Sequence, residues 1–137
     1  MRAMRTILAA AAAVLAVVAA IVAGQTGEAD KVPFFIVMAA GAIVVASLTA
    51  GPWTRPPRLL ARTIAVAWIG TAVWVAALLV WERTLCACSG PTPPLEPPNV
   101  GGIPTTWFHL AATYLGGALV VVAAFSDRHG VRGAAHR

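Results

Sequence analysis

Long uncharged apolar runs alternate along the chain with short stretches that hold its charge. Four runs stand out: residues 7–24, nearly all Ala, Val, Leu and Ile; 34–51, between Pro33 and Pro52; 64–81, between Arg62 and Glu82; and 107–125. None contains Asp, Glu, Lys or Arg. As a helix each spans roughly 27–30 Å, enough to cross a hydrocarbon core. Lipid offers no water to stray peptide groups, so such runs must be helices or strands of a closed barrel. Continuous apolarity without alternation selects helices. The pattern therefore predicts an all-α membrane protein, a single domain of 137 residues with four transmembrane helices. Short connections make successive helices neighbours, which implies an antiparallel bundle. The first run also resembles a secretory signal, with Met1-Arg2-Ala3-Met4-Arg5 ahead of it and Val22-Ala23-Gly24 behind. Its length favours a retained helix.

The connections differ in kind. Residues 25–33 are short and polar, whereas the link from Pro52 to Arg58 is proline-stiffened, which disfavours helix there. Residues 82–106 carry six prolines (Pro91, Pro93, Pro94, Pro97, Pro98 and Pro104) and read as a semi-rigid polyproline arm. Gly101-Gly102 reads as a hinge in it, and residues 126–137 form a short polar tail.

Composition sharpens the class. At 59% apolar and 11% charged, the chain has too few charges to solvate a globule of its size. A soluble enzyme, a disordered tail and a coiled coil are excluded. The net charge of +5 has a topological explanation. Arg2, Arg5, Arg55, Arg58, Arg62, Arg128, Arg132 and Arg137 fall on one side of the spans, and only Lys31 and Arg83 on the other. The positive-inside rule places both termini in the cytoplasm. No basic stripe interleaved with aromatics remains for a nucleic acid. Abundant Ala, Val and Gly, with Arg over Lys, suggests a high-GC bacterial genome and thus a bacterial cytoplasmic (inner) membrane. Trp53 at the inner boundary and Trp81 and Trp107 at the outer one suit the headgroup zone as interface anchors. Trp68 and Trp74 lie deeper, between helices or against acyl chains.

Helices in lipid associate through small residues that allow close approach. Candidate pairs are Ala46 with Ala50, Ser47 with Gly51, Ala72 with Ala76, Ala112 with Gly116, and Thr113 with Gly117. They serve contacts within the chain or the docking of another subunit. The Ala-rich first run reads as smooth on all sides.

Candidate chemistry is sparse. Ion and proton pathways need ionisable groups inside the membrane, so a proton-coupled exporter is not expected. No phosphate loop, metalloprotease motif or nucleophile with its base is present. No catalytic residue, and hence no enzyme, is expected. Cys86 and Cys88 fall on the outer, oxidising side, where they suit a disulfide or a contact with a partner chain. With His109 and Met38 they also make a soft ligand set for Cu(I), the one cofactor the residues suggest. His129 and His136 belong to the solvated tail. The leading expectation is a non-catalytic accessory or scaffold subunit of a larger membrane complex (respiratory, secretion or envelope-building). Its partners would be other membrane subunits, reached through small-residue helix faces and the proline-rich loop. One alternative is a small homo-oligomeric carrier or copper-handling protein using Cys86, Cys88, His109 and Met38. A weaker one is a thiol–disulfide redox protein.

Overall fold

A computed structural model describes residues 1–86 and 98–126, apart from the side chains of Arg83, Leu85 and Cys86. Helix α1 covers Arg2–Gln25, and a 3-10 turn at Ala29–Lys31 leads into α2, Val32–Ala50. Helix α3 covers Arg55–Cys86. Two short strands, β1 (Asn99–Val100) and β2 (Ile103–Pro104), precede α4, Thr105–Leu110. A π-helical segment at Ala111–Leu115 joins α4 directly to α5, Gly116–Phe125, so the three make one continuous fourth helix. The molecule is mostly helical, and four helical stretches are long and apolar enough to cross a membrane.

The first, third and fourth stretches contain the runs seen in the sequence and reach further, whereas α2 starts two residues before its run and stops one residue short of its end, at Ala50. Helix α3 begins at Arg55 rather than Ile64, with Pro56 and Pro57 in its first turn. A first-turn N–H has no intrahelical acceptor, so proline loses nothing there and its fixed φ suits the helix. The first N–H beyond them, on Arg58, donates to the Thr54 carbonyl at 3.3 Å. The 32 residues of α3 measure about 48 Å. They absorb Glu82 to Cys86, which the sequence assigns to the outer loop. At that loop's far end, Asn99 pairs with Pro104 and Val100 with Ile103. Gly101 and Gly102, at φ 60° and 82°, make the two-residue turn between them. Two successive left-handed residues are what a tight hairpin needs, so this pair is a turn and not a hinge. The polyproline stretch from Pro91 to Pro97 and the tail beyond Ser126 lie outside the described residues.

Helix α1 packs most extensively against α2 and next against α5, while α3 contacts α5 and α2. Far from being smooth, α1 has a definite inner face: Ala9, Ala12, Ala16, Ala19 and Ala23 are fully buried. Ile7, Val14, Val17 and Ile21 point outward. Small residues inside and large ones outside are what close approach in lipid requires. Helix α2 answers with Phe35, Met38, Ala39, Ala42, Val45 and Thr49.

Helix α3 is held differently. Ala61, Ala65 and Trp68 are buried, and no described α3 residue beyond Trp68 is. The Trp68 indole N–H donates to the Thr113 carbonyl at 3.0 Å. That carbonyl lies in the π-helical segment, where the widened backbone departs from regular i→i−4 pairing. The ring lies on Gly117, where a Cβ would stand 2.8 Å from the indole Cδ1, and beside Gly116, where it would stand 3.3 Å from Cζ2. Gly117 is therefore required for the indole to seat as it does, while a methyl at Gly116 would ask the ring to give by a few tenths of an ångström.

Candidate functional site

No described α3 residue beyond Trp68 is buried, and a cavity of about 540 Å³ opens between the helix's far half, the start of α2 and the start of the fourth helix. Its apolar wall comes from Phe34 and Phe35 on α2 and from Trp74, Val75, Leu78 and Leu79 on α3. The polar residues described in its lining are Asp30 and Lys31 before α2, Glu82 on α3, Thr106 and His109 on α4, and Thr113 in the π-helical segment.

One side of this mouth is organised around Glu28. Its carboxylate pairs with Lys31, three residues on, and lies 3.5 Å from the Thr26 hydroxyl. Burial pushes the Glu28 carboxyl up, but hydrogen bonds from Lys31 and Thr105 and the charge of Lys31 outweigh it, so the group sits below its ordinary pKa. The second carboxylate oxygen lies 3.7 Å from His109 Nε2. His109 in turn stacks on Phe35, with ring centroids 4.9 Å apart and planes at 30°. Phe34 meets Phe35 edge-to-face at 5.1 Å. A carboxylate from the first connection, a ring from α2 and an imidazole from α4 thus tie three segments together. Sequence reasoning missed Glu28 and Phe35. The i,i+3 spacing of Glu28 and Lys31 is the one local signal for either.

Asp30 and Glu82 have no ion-pair partner among the described residues. With Lys31 neutralised by Glu28, the described lining residues carry a net negative charge above an aromatic wall.

The opposite end of the helices is basic. Arg5 is buried, its Nε donates to the Ser126 hydroxyl at 2.8 Å, and its guanidinium lies 5.2 Å from the Trp53 ring centroid. Arg58 Nη2 donates to the Trp53 carbonyl at 2.9 Å, and the Arg62 guanidinium lies 5.3 Å from the Phe125 ring. Read from sequence, Arg5 only orients the chain and Trp53 only anchors the interface. In the fold they also join α1, α3 and the end of α5. Trp81 and Trp107 are both exposed.

The remaining sequence candidates fall as follows. Met38 is buried in α2, and His109 meets Phe35 and Glu28. Cys86 ends α3, but its side chain and all of Cys88 lie outside the described residues, so the thiol half of the Cu(I) set does too. Among the described residues, no three His, Cys, Asp or Glu side chains are grouped to hold a metal ion. Ala112, Thr113, Gly116 and Gly117 are buried; Ala46 is half-buried, whereas Ser47 and Ala50 are exposed and Gly51 lies at the end of α2. The Ser47 hydroxyl donates to the Ile43 carbonyl of its own helix. Ala72 and Ala76 border an apolar groove of about 400 Å³ between α3 and the fourth helix. The Tyr114 hydroxyl donates to the Ala72 carbonyl there at 3.2 Å.

Compared with known protein families, curated proteins and solved structures, the chain matches none.

Proposed function

We propose that the chain is a four-helix antiparallel bundle in a bacterial cytoplasmic membrane, with both termini on the arginine-rich cytoplasmic side. Its role in this reading is that of a non-catalytic accessory subunit docked beside larger membrane partners. The observation that supports it is the uneven cover of the helices. In the most apolar window of α3 only 11% of residues are buried by the rest of the chain, against 39% in α1 and in the fourth helix. Small residues lie on the uncovered surface: Ala67 and Gly70 are exposed, and a Cβ on Gly70 would meet nothing within 4 Å. A small-residue surface lets a second helix approach closely. Among the described residues the Asp, Glu, Lys and Arg side chains gather towards the helix ends, which suits a fitting better than a pump.

Photo-crosslinking in native membranes tests the reading. A crosslinker at Ala67 or Gly70 should join the chain to a defined membrane protein in stoichiometric yield, while one at Val14 on α1 should not. A chain that purifies in mild detergent only as a lone monomer, with no adduct at either α3 position, overturns it.

A further inference from the structure

The cavity beside α3 takes no part in that docking role, and its chemistry is specific. Its volume, about 540 Å³, lies in the range of small-molecule sites. Glu82 and Trp74 are eight residues apart on α3, so the cavity reaches about 12 Å along the helix, from a charged rim to an uncharged, mostly apolar floor. At the rim stand two carboxylates without ion-pair partners among the described residues, Asp30 on one side and Glu82 on the other. The aromatic residues Phe34, Phe35 and Trp74 are also part of the lining. Lys31, the one Lys or Arg among the described lining residues, is already paired with Glu28. Aromatic rings attract cations through their quadrupoles, more strongly where water is displaced. Carboxylates at the entrance add a field of the same preference. An anionic or neutral amphipath would leave both acids unanswered.

The geometry points to a binding site for an amphipathic organic cation, its apolar body against Trp74, Phe34 and Phe35 and its positive charge between Asp30 and Glu82. A free lipophilic cation and an amine-headed membrane lipid share this chemistry.

Full-length protein in phosphatidylcholine nanodiscs, titrated with radiolabelled tetraphenylphosphonium, tests the site, with tetraphenylborate as the probe of equal shape and opposite charge. Saturable binding of the cation, at least about tenfold tighter than of the anion, is expected. The combined Asp30→Asn and Glu82→Gln change, isosteric at two rim positions, should weaken the cation about tenfold. Trp74→Ala should do the same and Trp74→Phe should restore binding. An unchanged thermal transition in each variant shows that the fold persists. Absence of saturable binding by the unaltered protein, equal affinity for the anion, or unchanged affinity in the carboxamide variant overturns the proposal. Adding phosphatidylethanolamine to the discs separates the two sources: displacement of the probe assigns the site to an amine-headed lipid, and undiminished binding assigns it to a free cation.

Discussion

Helices α1 and α3 solve the same problem in opposite ways. Helix α1 buries a stripe made mostly of alanines and holds its neighbours there by close approach, with Arg5 adding a hydrogen bond to Ser126 at its basic end. Helix α3 is longer, but among its described residues only Ala61, Ala65 and Trp68 are buried, and Trp68, the one large side chain of the three, seats on Gly116 and Gly117 and donates to Thr113. The first arrangement spreads its stabilisation over many weak contacts. The second concentrates it in one ring and leaves half a helix uncovered, with a cavity on one side and small exposed residues on another. In lipid, where apolar surface gains nothing by leaving the solvent, close packing and hydrogen bonds decide what holds. The tight side is thus a frame and the loose side is where ligands and partners have room.

Breaking the concentrated contact should have the largest effect. Trp68→Ala removes the ring and the buried hydrogen bond together and is expected to cost about 3 kcal/mol. Reversible unfolding in mixed detergent micelles would measure it. Trp68→Phe keeps most of the ring and loses only the hydrogen bond, so about 1 kcal/mol is expected. Gly117→Ala approaches from the other side. A methyl 2.8 Å from the indole Cδ1 must push the ring off its seat, at about 1–3 kcal/mol by overpacking. A single alanine-to-glycine change in the α1 stripe, such as Ala16→Gly, removes one small contact of many and should cost about 1 kcal/mol, mostly backbone propensity. Equal losses for Trp68→Ala and Ala16→Gly would erase the contrast between the two helices.

How much of this is legible in the sequence follows from range. The four apolar runs are visible because lipid imposes a minimum length and forbids charge. Their ends are not, because prolines in a helix's first turn look like breakers and Glu82 looks like loop, although both continue α3. The inner face of α1 is readable after all: its alanines recur at three- and four-residue spacing, with Ile7, Val14 and Ile21 on the other side. A rule that seeks large apolar residues inside reads this stripe backwards. Gly116 and Gly117 are visible as a contact, but not that Trp68 fills it, since the register between α3 and the fourth helix is set by tertiary packing. Glu28 and His109 meet across eighty residues of chain, and no local pattern announces that.

The cluster at Glu28 should produce a smaller, pH-dependent effect. Its carboxyl is held below its ordinary value by Lys31 and Thr105 despite burial. A depressed folded-state pKa contributes stability that is complete above the unfolded value and is lost as pH falls through the folded one. The Glu28 contribution to thermal stability should therefore be complete above about pH 5 and be lost progressively below about pH 4, with an amplitude under about 1 kcal/mol for a pair at the protein's edge. Glu28→Gln should remove this component and leave the decline of other carboxyls. An acid profile identical in the variant would show that the cluster adds nothing to the frame.

The smallest expected change in stability is also the sharpest test of the loose side. Gly70 faces open space, and an added Cβ meets nothing within 4 Å. Replacing a helical glycine by leucine improves helix propensity and disturbs no neighbour in the chain, so Gly70→Leu should leave unfolding unchanged within about 0.5 kcal/mol or raise stability slightly. The same leucine would hold an approaching helix away, so crosslinking from Ala67 to a partner should fall sharply. Gly117→Leu, at the seat of Trp68, should show the reverse order: lost stability first, with partner contact failing only as the fold does. If Gly70→Leu destabilises the isolated chain while leaving the crosslink intact, that face of α3 belongs to the frame, and the distinction between the gripped and the open half of the helix fails.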